Sequence, residues 1–324
     1  MSVTRSILVT SHFMKSLNWL YIGLLLMAGT LWGVAFLVVE IAIETIPPFT
    51  FTFSRNVLVS IVLVAALYWR GGRLVSFGRF GRNWIPYAFV GLFDNALPVM
   101  LSSSAQLHVD SGLATIFVAT TPFFTLLFAY WHLGDEKISV NQIIGVVLGM
   151  IGIVVLIGPS ALQSLGSHLT AQLALLGASS CYAIATVFSR SYLREQEDTG
   201  QRTVLEWLTG QFIVATIIAL PMMLLFEDVA SVQPSQRSII AVFVGGWIIA
   251  IGAFLCFYRL NALAGPTYAS FVTYLIPING VFWGAVILGE KVEPSALAAL
   301  ACILFGVAFV NDLVKLPQKF ALSD

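Results

Sequence analysis

Residues 114–137 read ATIFVATTPFFTLLFAYWHLGDEK, and residues 269–291 read ASFVTYLIPINGVFWGAVILGEK. The two stretches share a frame. An alanine stands eight residues before a proline, Ala114 before Pro122 and Ala269 before Pro277. Gly134 and Gly289 each follow that proline by twelve residues, and both follow a leucine. Glu136 then precedes Gly152 by sixteen residues, as Glu290 precedes Gly306. Asp135 is an insertion, because Glu136 restores the common spacing. A phrase repeated across about half of an apolar chain predicts two similar helical bundles, the build of a carrier with internal repeats.

Composition sets the solvent. The 324 residues are 58% hydrophobic and 10% charged, against about 25% charged in a soluble domain. Apolar runs of roughly 20 residues recur, each long enough for the ~30 Å hydrocarbon core. A formal net charge of zero argues against nucleic acid as a partner. Cys181, Cys256 and Cys302 fall inside apolar runs, without the spacing of a metal or redox site, so buried packing is their expected role. No GxxxxGK[ST] loop exists for direct ATP hydrolysis. No cofactor or metal site is expected.

The fold class that follows is an all-α polytopic membrane protein with ten transmembrane helices in two inverted five-helix repeats. The expected spans are 19–42, 48–69, 84–107, 111–133, 140–158, 170–193, 203–226, 237–260, 266–288 and 294–314. Helices are expected because a spanning segment in lipid must satisfy its own backbone groups. The domain reading is a cytoplasmic segment 1–18, a first repeat 19–158, a linker 159–169, a second repeat 170–314 and a tail 315–324. The first span has no small-residue cleavage site at its end and is expected to be a permanent anchor.

Positive charge orients the spans. With the N-terminus cytoplasmic, the inner side carries Arg5, Lys15, Arg70, Arg73, Arg79, Arg82, Lys137, Arg190, Arg194, Arg202, Arg259, Lys315 and Lys319. The outer side then carries Arg237 and Lys291, and Arg55 lies within span 2. Both termini come out cytoplasmic. Five spans per repeat is an odd number, so the second repeat is inverted, the geometry used for alternating access.

The residues resemble the drug/metabolite transporter superfamily, in its EamA-like ten-helix branch. The resemblance rests on GTLWGVAFLVVEIA, on PPFTFTFSR, on SGLATIFVATTPFFTLLFAYWHLGDE, on GVVLGMIGIVVLIG and on ALAGPTYASFVTYLIPINGVFWGAVILGEK. It implies a multi-pass carrier of the inner (plasma) membrane, commonly an exporter (efflux) of small metabolites, amino acids or drugs. It also implies a central cavity lined mainly by spans 3, 4, 8 and 9. Fold-level likeness does not choose the cargo.

Candidate site residues come from what lipid does not tolerate. Asp94 lies near the middle of span 3, beside Asn95 and four residues before Pro98. A carboxylate at that depth costs ~2.5–3.5 kcal/mol and is expected to face a cavity, a partner or a proton path. Proton coupling through Asp94 is the hypothesis; a structural ion pair is the plain alternative. Arg55, two turns into span 2, is a contact for a cargo carboxylate, a switchable partner of Asp94, or a side chain snorkelling to the interface. Ser102, Ser103, Ser104 and Gln106 can bond cargo, although hydroxyls more often bond their own helix. His108 and Asp110 are expected in the outer loop or at the cavity mouth.

Pro122 and Pro277 each remove a backbone donor and leave a carbonyl free. Thr120 and Thr121 precede the first, and Asn279 follows the second. Polar groups beside matching kinks in both halves point to a midplane site; a packing kink is the alternative. Trp32, Tyr182, Tyr258, Tyr274 and Trp283 can form a stacking or cation-accepting wall, or simply pack. Glu136 and Glu290 are expected at opposite interfaces, capping the following helix near its N-terminus or acting as gates. Gly145, Gly149 and Gly152 in span 5, and Ala298, Cys302 and Gly306 in span 10, form small-residue faces for close packing, within one chain or across a homodimer.

The partners expected are a small-molecule substrate and the lipid bilayer. A membrane enzyme would need a dense polar cluster such as HExxH, which the sequence lacks. A non-transporting sensor and an uncoupled facilitator remain the alternatives.

Overall fold

The computed structural model describes residues 19–72, 84–133, 139–163, 167–197, 204–264, 269 and 271–310. Among these residues there is no strand. The chain forms helices α1 (Trp19–Ile43) and α2 (Pro48–Trp69), followed by α3, whose parts Ile85–Val90 and Leu97–Ala105 flank a π-helical turn at Gly91–Ala96. Helix α4 is Ser111–Val118 continued by Thr121–Leu133; α5 is Val140–Gln163, α6 Ser167–Glu197 and α7 Val204–Phe226. Helix α8 runs from Gln236–Phe243 through a π segment, Val244–Ala250, to Ile251–Ala264. Helix α9 is Val272–Trp283 with a π end, Gly284–Leu288, and α10 is Pro294–Val310.

Seven of these, α1 to α4 and α6 to α8, are long and apolar enough to cross a membrane; α5, α9 and α10 contain shorter apolar helices. The ends are set by local chemistry. Pro47 and Pro48 open α2, where a proline at the first helical position costs no hydrogen bond. Gly289 takes a left-handed φ of 71° and stops α9, letting the Glu290 amide reach back to the Gly284 carbonyl. Large apolar side chains such as Trp69, Leu225 and Phe226 stand on the outside, the surface that lipid covers.

The helices pair in a two-fold pattern. Helix α1 packs on α8 and α9, and α6 packs on α3 and α4. Helices α2 and α7 pack together, as do α4 with α9 and α5 with α10; α3 meets α7, and α8 meets α2. Exchanging each helix for the one five places away leaves this pattern unchanged, in step with the sequence repeat. The π segments of α3 and α8 obey it too, since these helices are partners under the exchange, whereas the π end of α9 has no counterpart among the described residues of α4.

Small residues bring the backbones close. A Cβ on Gly33 would lie 2.5 Å from the Asn279 Cβ and 2.8 Å from the Ile276 carbonyl, fixing α1 on α9. A Cβ on Gly306 would lie 2.6 Å from the Gly145 carbonyl, and one on Gly152 3.1 Å from the Ala299 carbonyl. The small-residue faces of α5 and α10 therefore meet inside one chain. Helices α2 with α7 and α5 with α10 close the bundle at two sides, and α1, α3, α4, α6, α8 and α9 surround what lies between.

Candidate functional site

Asp94 stands on the π turn of α3. A π turn carries an extra residue and loosens the regular ladder. Pro98 adds to this, because its nitrogen has no hydrogen for the Asp94 carbonyl one turn back. Gly91 lets the turn lie against α7: a Cβ there would be 2.7 Å from the Gln211 carbonyl. Gly246 plays the matching part in α8, where a Cβ would meet the Leu58 Cβ of α2 at 3.3 Å.

Four ionisable or phenolic side chains converge at this depth. Asp94 interacts electrostatically with Arg55 of α2, Tyr182 of α6 and Tyr258 of α8. All four lie deep in the bundle, yet each keeps part of its side chain accessible. Among the described residues Asp94 and Arg55 form no direct ion pair. Arg55 instead donates from Nη1 to Asn56 Oδ1 at 3.2 Å and lies 5.8 Å above the Phe212 ring, an arrangement with cation–π character.

Behind Asp94 a buried amide chain joins α2, α3 and α7. Asn56 Nδ2 donates to the Asn95 carbonyl at 3.1 Å, and Asn95 Nδ2 donates to Gln211 Oε1 at 2.9 Å. Asn56, Asn95 and Gln211 are buried, so this chain fixes the π turn and hence the aim of Asp94. Beside it runs an aromatic wall. Trp32 meets Phe254 at 5.6 Å and Phe257 at 5.2 Å; Phe254 lies 5.8 Å from Phe212 and 6.4 Å from Tyr258.

Other sequence candidates are placed elsewhere. Ser103 is fully buried and donates to the Val99 carbonyl at 2.7 Å; Ser102 donates to the Pro98 carbonyl at 2.6 Å. Thr120 and Thr121 turn their hydroxyls to the Phe117 and Val118 carbonyls, both at 2.7 Å. The Val118 carbonyl is the one that Pro122 deprives of a donor, so Thr121 repairs the kink. Asn279 Oδ1 accepts from Thr30 Oγ1 at 3.2 Å, tying α1 to α9, and Pro277 is buried beside it. Tyr274 packs in the α9–α10 region with Ile303 and Val307. In this conformation the Asp94–Arg55 group thus gathers Trp32 and Tyr258, while Ser103, Thr120, Thr121, Tyr274 and Asn279 serve helix packing.

One end of the bundle is clasped. The Glu227 carboxylate, after α7, accepts from the Phe49 amide, the Thr50 amide and Thr50 Oγ1, each at 2.7 Å, capping α2. The Glu290 carboxylate, after α9, accepts from the Ser111 amide at 3.1 Å, the Gly112 amide at 2.9 Å and Ser111 Oγ. Glu40 Oε2 of α1 accepts from the same Ser111 amide at 2.7 Å. Arg237 pairs with Glu44 at 3.4 Å, and Thr45 Oγ1 bonds Ser238 Oγ at 2.8 Å. Asp110, next to this cluster, is raised above the ordinary carboxylate range by burial and by the Glu290 charge. The expectation for Glu290 is corrected here: it caps α4 of the other half rather than the helix that follows it, because the αL turn at Gly289 points it back across the bundle. Glu136 lies outside the described residues. Among the described residues no group of His, Cys, Asp or Glu is arranged to hold a metal.

Sequence comparison matches the EamA-like transporter family over residues 19–158 and again over 169–312. The chain belongs to the EamA-like transporter family. It is a multi-pass membrane transporter. This EamA-like chain is 27% identical over 297 residues to the uncharacterized inner membrane transporter YedA of Escherichia coli (strain K12), covering 89% of this chain and 90% of YedA. It is 24% identical to the uncharacterized transporter YvbV of Bacillus subtilis (strain 168), over 90% and 92% of the two chains. It is 24% identical to protein PagO of Salmonella typhimurium, over 93% and 96%. A solved crystal structure shares the fold, with a TM-score of 0.63 over 90% of this chain and 96% of that one at 21% identity.

Sequence reasoning missed Glu40, Glu227, Asn56 and Gln211. Each is a polar residue in or at the end of an apolar helix; Glu40 and Gln211 stand alone among apolar neighbours, which was the available signal, whereas Asn56 follows Arg55 and Glu227 precedes Asp228.

Proposed function

We propose that this transporter is a secondary carrier that binds zwitterionic small metabolites, such as amino acids, between Asp94 and Arg55 and exports them. The carrying observation is that two opposite charges stand deep in the bundle within electrostatic reach of each other, each with part of its surface accessible, and form no direct ion pair. Such a pair is complementary to a cargo that brings one ammonium and one carboxylate. The wall of Trp32, Phe254 and Tyr258 suits the apolar part of an amphipathic cargo. Proton coupling runs through Asp94, the group that can exchange a proton for the cargo ammonium.

In this reading ten helices cross the inner membrane as two inverted five-helix repeats, 19–158 and 170–314, joined by 159–169, with both termini cytoplasmic. The excess of Lys and Arg on one side and the two-fold helix pairing support it. The clasped end, which carries Glu227 and Glu290, is then the outer end, and the described conformation is closed to the outside. Cargo shifts the balance between this state and an outward-open one by binding them unequally.

The test is equilibrium binding of labelled amino acids to purified protein by scintillation proximity. Saturable binding is expected for the wild type. Removing one charge from a desolvated pair, in Asp94→Asn or Arg55→Gln, is expected to weaken it by roughly 10–100-fold. Binding unchanged in both variants would refute the site. A non-transporting sensor would bind and show no counterflow in proteoliposomes.

A further inference from the structure

We propose that the cleft between α3, α4 and α6, at the end of the bundle where α3 begins, is a lipid site holding an acyl chain of an anionic phospholipid from the cytoplasmic leaflet. Only the orientation of the helices, which decides the leaflet, is taken from the carrier reading above.

The cleft has a volume of about 260 Å³ and is lined by Phe89, Phe128, Trp131, Ile184, Val187 and Phe188. These side chains include no carboxylate, amide or hydroxyl, so the lining does not suit ordered water. The walls support one another. Phe89 meets Phe188 at 4.4 Å and Phe93 at 4.8 Å, and Phe128 meets Trp131 at 6.1 Å. A cavity of ~150 Å³ already admits a benzene-sized guest, so the cleft has room for a stretch of acyl chain.

The cleft opens to lipid, away from Asp94. At about 100° per residue, Ile184, Val187 and Phe188 lie roughly 140–240° round α6 from Tyr182, the residue that addresses Asp94. Leu173, on the same far side of α6, is exposed, and Trp131 at the rim is 68% exposed. An exposed apolar rim on a membrane helix is a surface that lipid covers.

The two-fold counterpart is filled by the chain itself. Phe128 follows Pro122 by six residues, as Trp283 follows Pro277. Trp283 and Leu288 pack against Leu37, Val38 and Val242, so α1, α8 and α9 close on one another at the opposite end. Between α3, α4 and α6 the equivalent place is a gap. Lining atoms that face a gap forfeit dispersion contacts, and acyl chains are the surrounding material able to restore them.

Charge selects the headgroup. This end of the bundle carries the Lys and Arg excess: Arg79 and Arg82 precede α3, Lys137 follows α4, and Arg190 and Arg194 belong to the last turns of α6. Basic positions flanking a span attract anionic lipid. A neutral lipid gains the apolar contact alone, whereas an anionic one gains both.

The experiment uses phosphatidylglycerol with a diazirine in its acyl chain, as a trace in phosphatidylcholine nanodiscs holding the full chain. Adducts formed on illumination are mapped by peptide mass spectrometry. They are expected to concentrate on the cleft residues, and unlabelled phosphatidylglycerol is expected to displace them about tenfold more effectively than phosphatidylethanolamine. Ile184→Trp fills the cleft and is expected to lower the cleft adducts about tenfold. Ile184→Ala widens it and is expected to keep them. Adducts at Ile217 and Leu224, exposed on α7, are expected to be the same in all three proteins.

Adducts as dense at Ile217 and Leu224 as in the cleft, or cleft adducts retained in Ile184→Trp, would overturn the site. Equal displacement by the two lipids overturns the anionic headgroup. Missing cleft adducts together with a disulfide between Phe77→Cys and Ile184→Cys would assign the cleft to the chain's own loop and overturn the lipid. The orientation is read separately from Ser139→Cys, exposed at the same end, with a membrane-impermeant maleimide on intact cells. Labelling from outside overturns the cytoplasmic leaflet and leaves the cleft site standing. Protection with no cleft adducts overturns the site and leaves the orientation standing.

Discussion

Gly306→Ala tests the packing on which the two-fold architecture depends. The new methyl would sit 2.6 Å from the Gly145 carbonyl oxygen, 2.9 Å from the Gly149 nitrogen and 3.0 Å from Phe123 Cζ. Carbon prefers about 3.5–4.0 Å to such neighbours, so α5 and α10 must part by on the order of 0.5–1 Å. Two of the three contacts are backbone, and the third side chain is pinned, since Phe123 already fills the space over Gly149. Overpacking of this kind costs about 1–3 kcal/mol. Alanine returns up to ~1 kcal/mol in helix propensity, for a net loss of roughly 1–2 kcal/mol. In a chain of this size that lowers the melting temperature by roughly 1.5–3 °C, read by tryptophan fluorescence of detergent-solubilised protein. Gly23→Ala is the control, as a Cβ there meets nothing within 4 Å, and no loss is expected. A Gly306→Ala melting temperature at or above wild type, or an equal drop in the control, would refute the packing argument.

Three further outcomes are expected. Glu227→Ala strips three acceptor bonds from the start of α2 and is expected to cost about 1–3 kcal/mol, with faster hydrogen exchange at the Phe49 and Thr50 amides; unchanged exchange there would contradict the cap. Asn95→Ala removes the donor to the buried Gln211 Oε1, while the Asn95 backbone carbonyl that Asn56 bonds is kept; it is expected to cost about 1–3 kcal/mol, and adding Gln211→Leu to it recovers part of the loss, as a melting series shows. Asp110 is raised in the folded protein by burial and Glu290, so its contribution falls as pH rises above the ordinary carboxylate range. Asp110→Asn is therefore expected to raise the melting temperature at neutral pH and not at low pH, and an effect confined to low pH would reverse the sign.

Much of the architecture is written in local chemistry. The repeat around Pro122 and Pro277, the Pro47–Pro48 start of α2 and the Leu-Gly end of α9 each impose a backbone geometry that needs no partner. The glycines of α5 and the Ala298–Gly306 face of α10 announce close packing, though not which helix is packed. The candidate site was half legible. Asp94 and Arg55 stand out because charge in lipid needs a reason, and Trp32, Tyr182 and Tyr258 fall in with them. Ser103, Thr120 and Thr121 share the polar chemistry of cargo ligands, but each bonds a carbonyl three or four residues back on its own helix. Glu290 shows the limit best. Its capping role follows from a carboxylate after a helix-ending glycine, but the helix it caps is set by how the halves meet. The π turn under Asp94 has no periodicity of its own to betray it, since the extra residue is fixed by Asn56 and Gln211 from other helices.

Counterflow uptake in proteoliposomes, with labelled amino acids and the wild type, Asp94→Asn and Arg55→Gln side by side, tests the central claim most directly. Saturable exchange by the wild type with a loss of about tenfold or more in both variants is the predicted result. Exchange retained in both would contradict it, placing the cargo away from the Asp94–Arg55 pair.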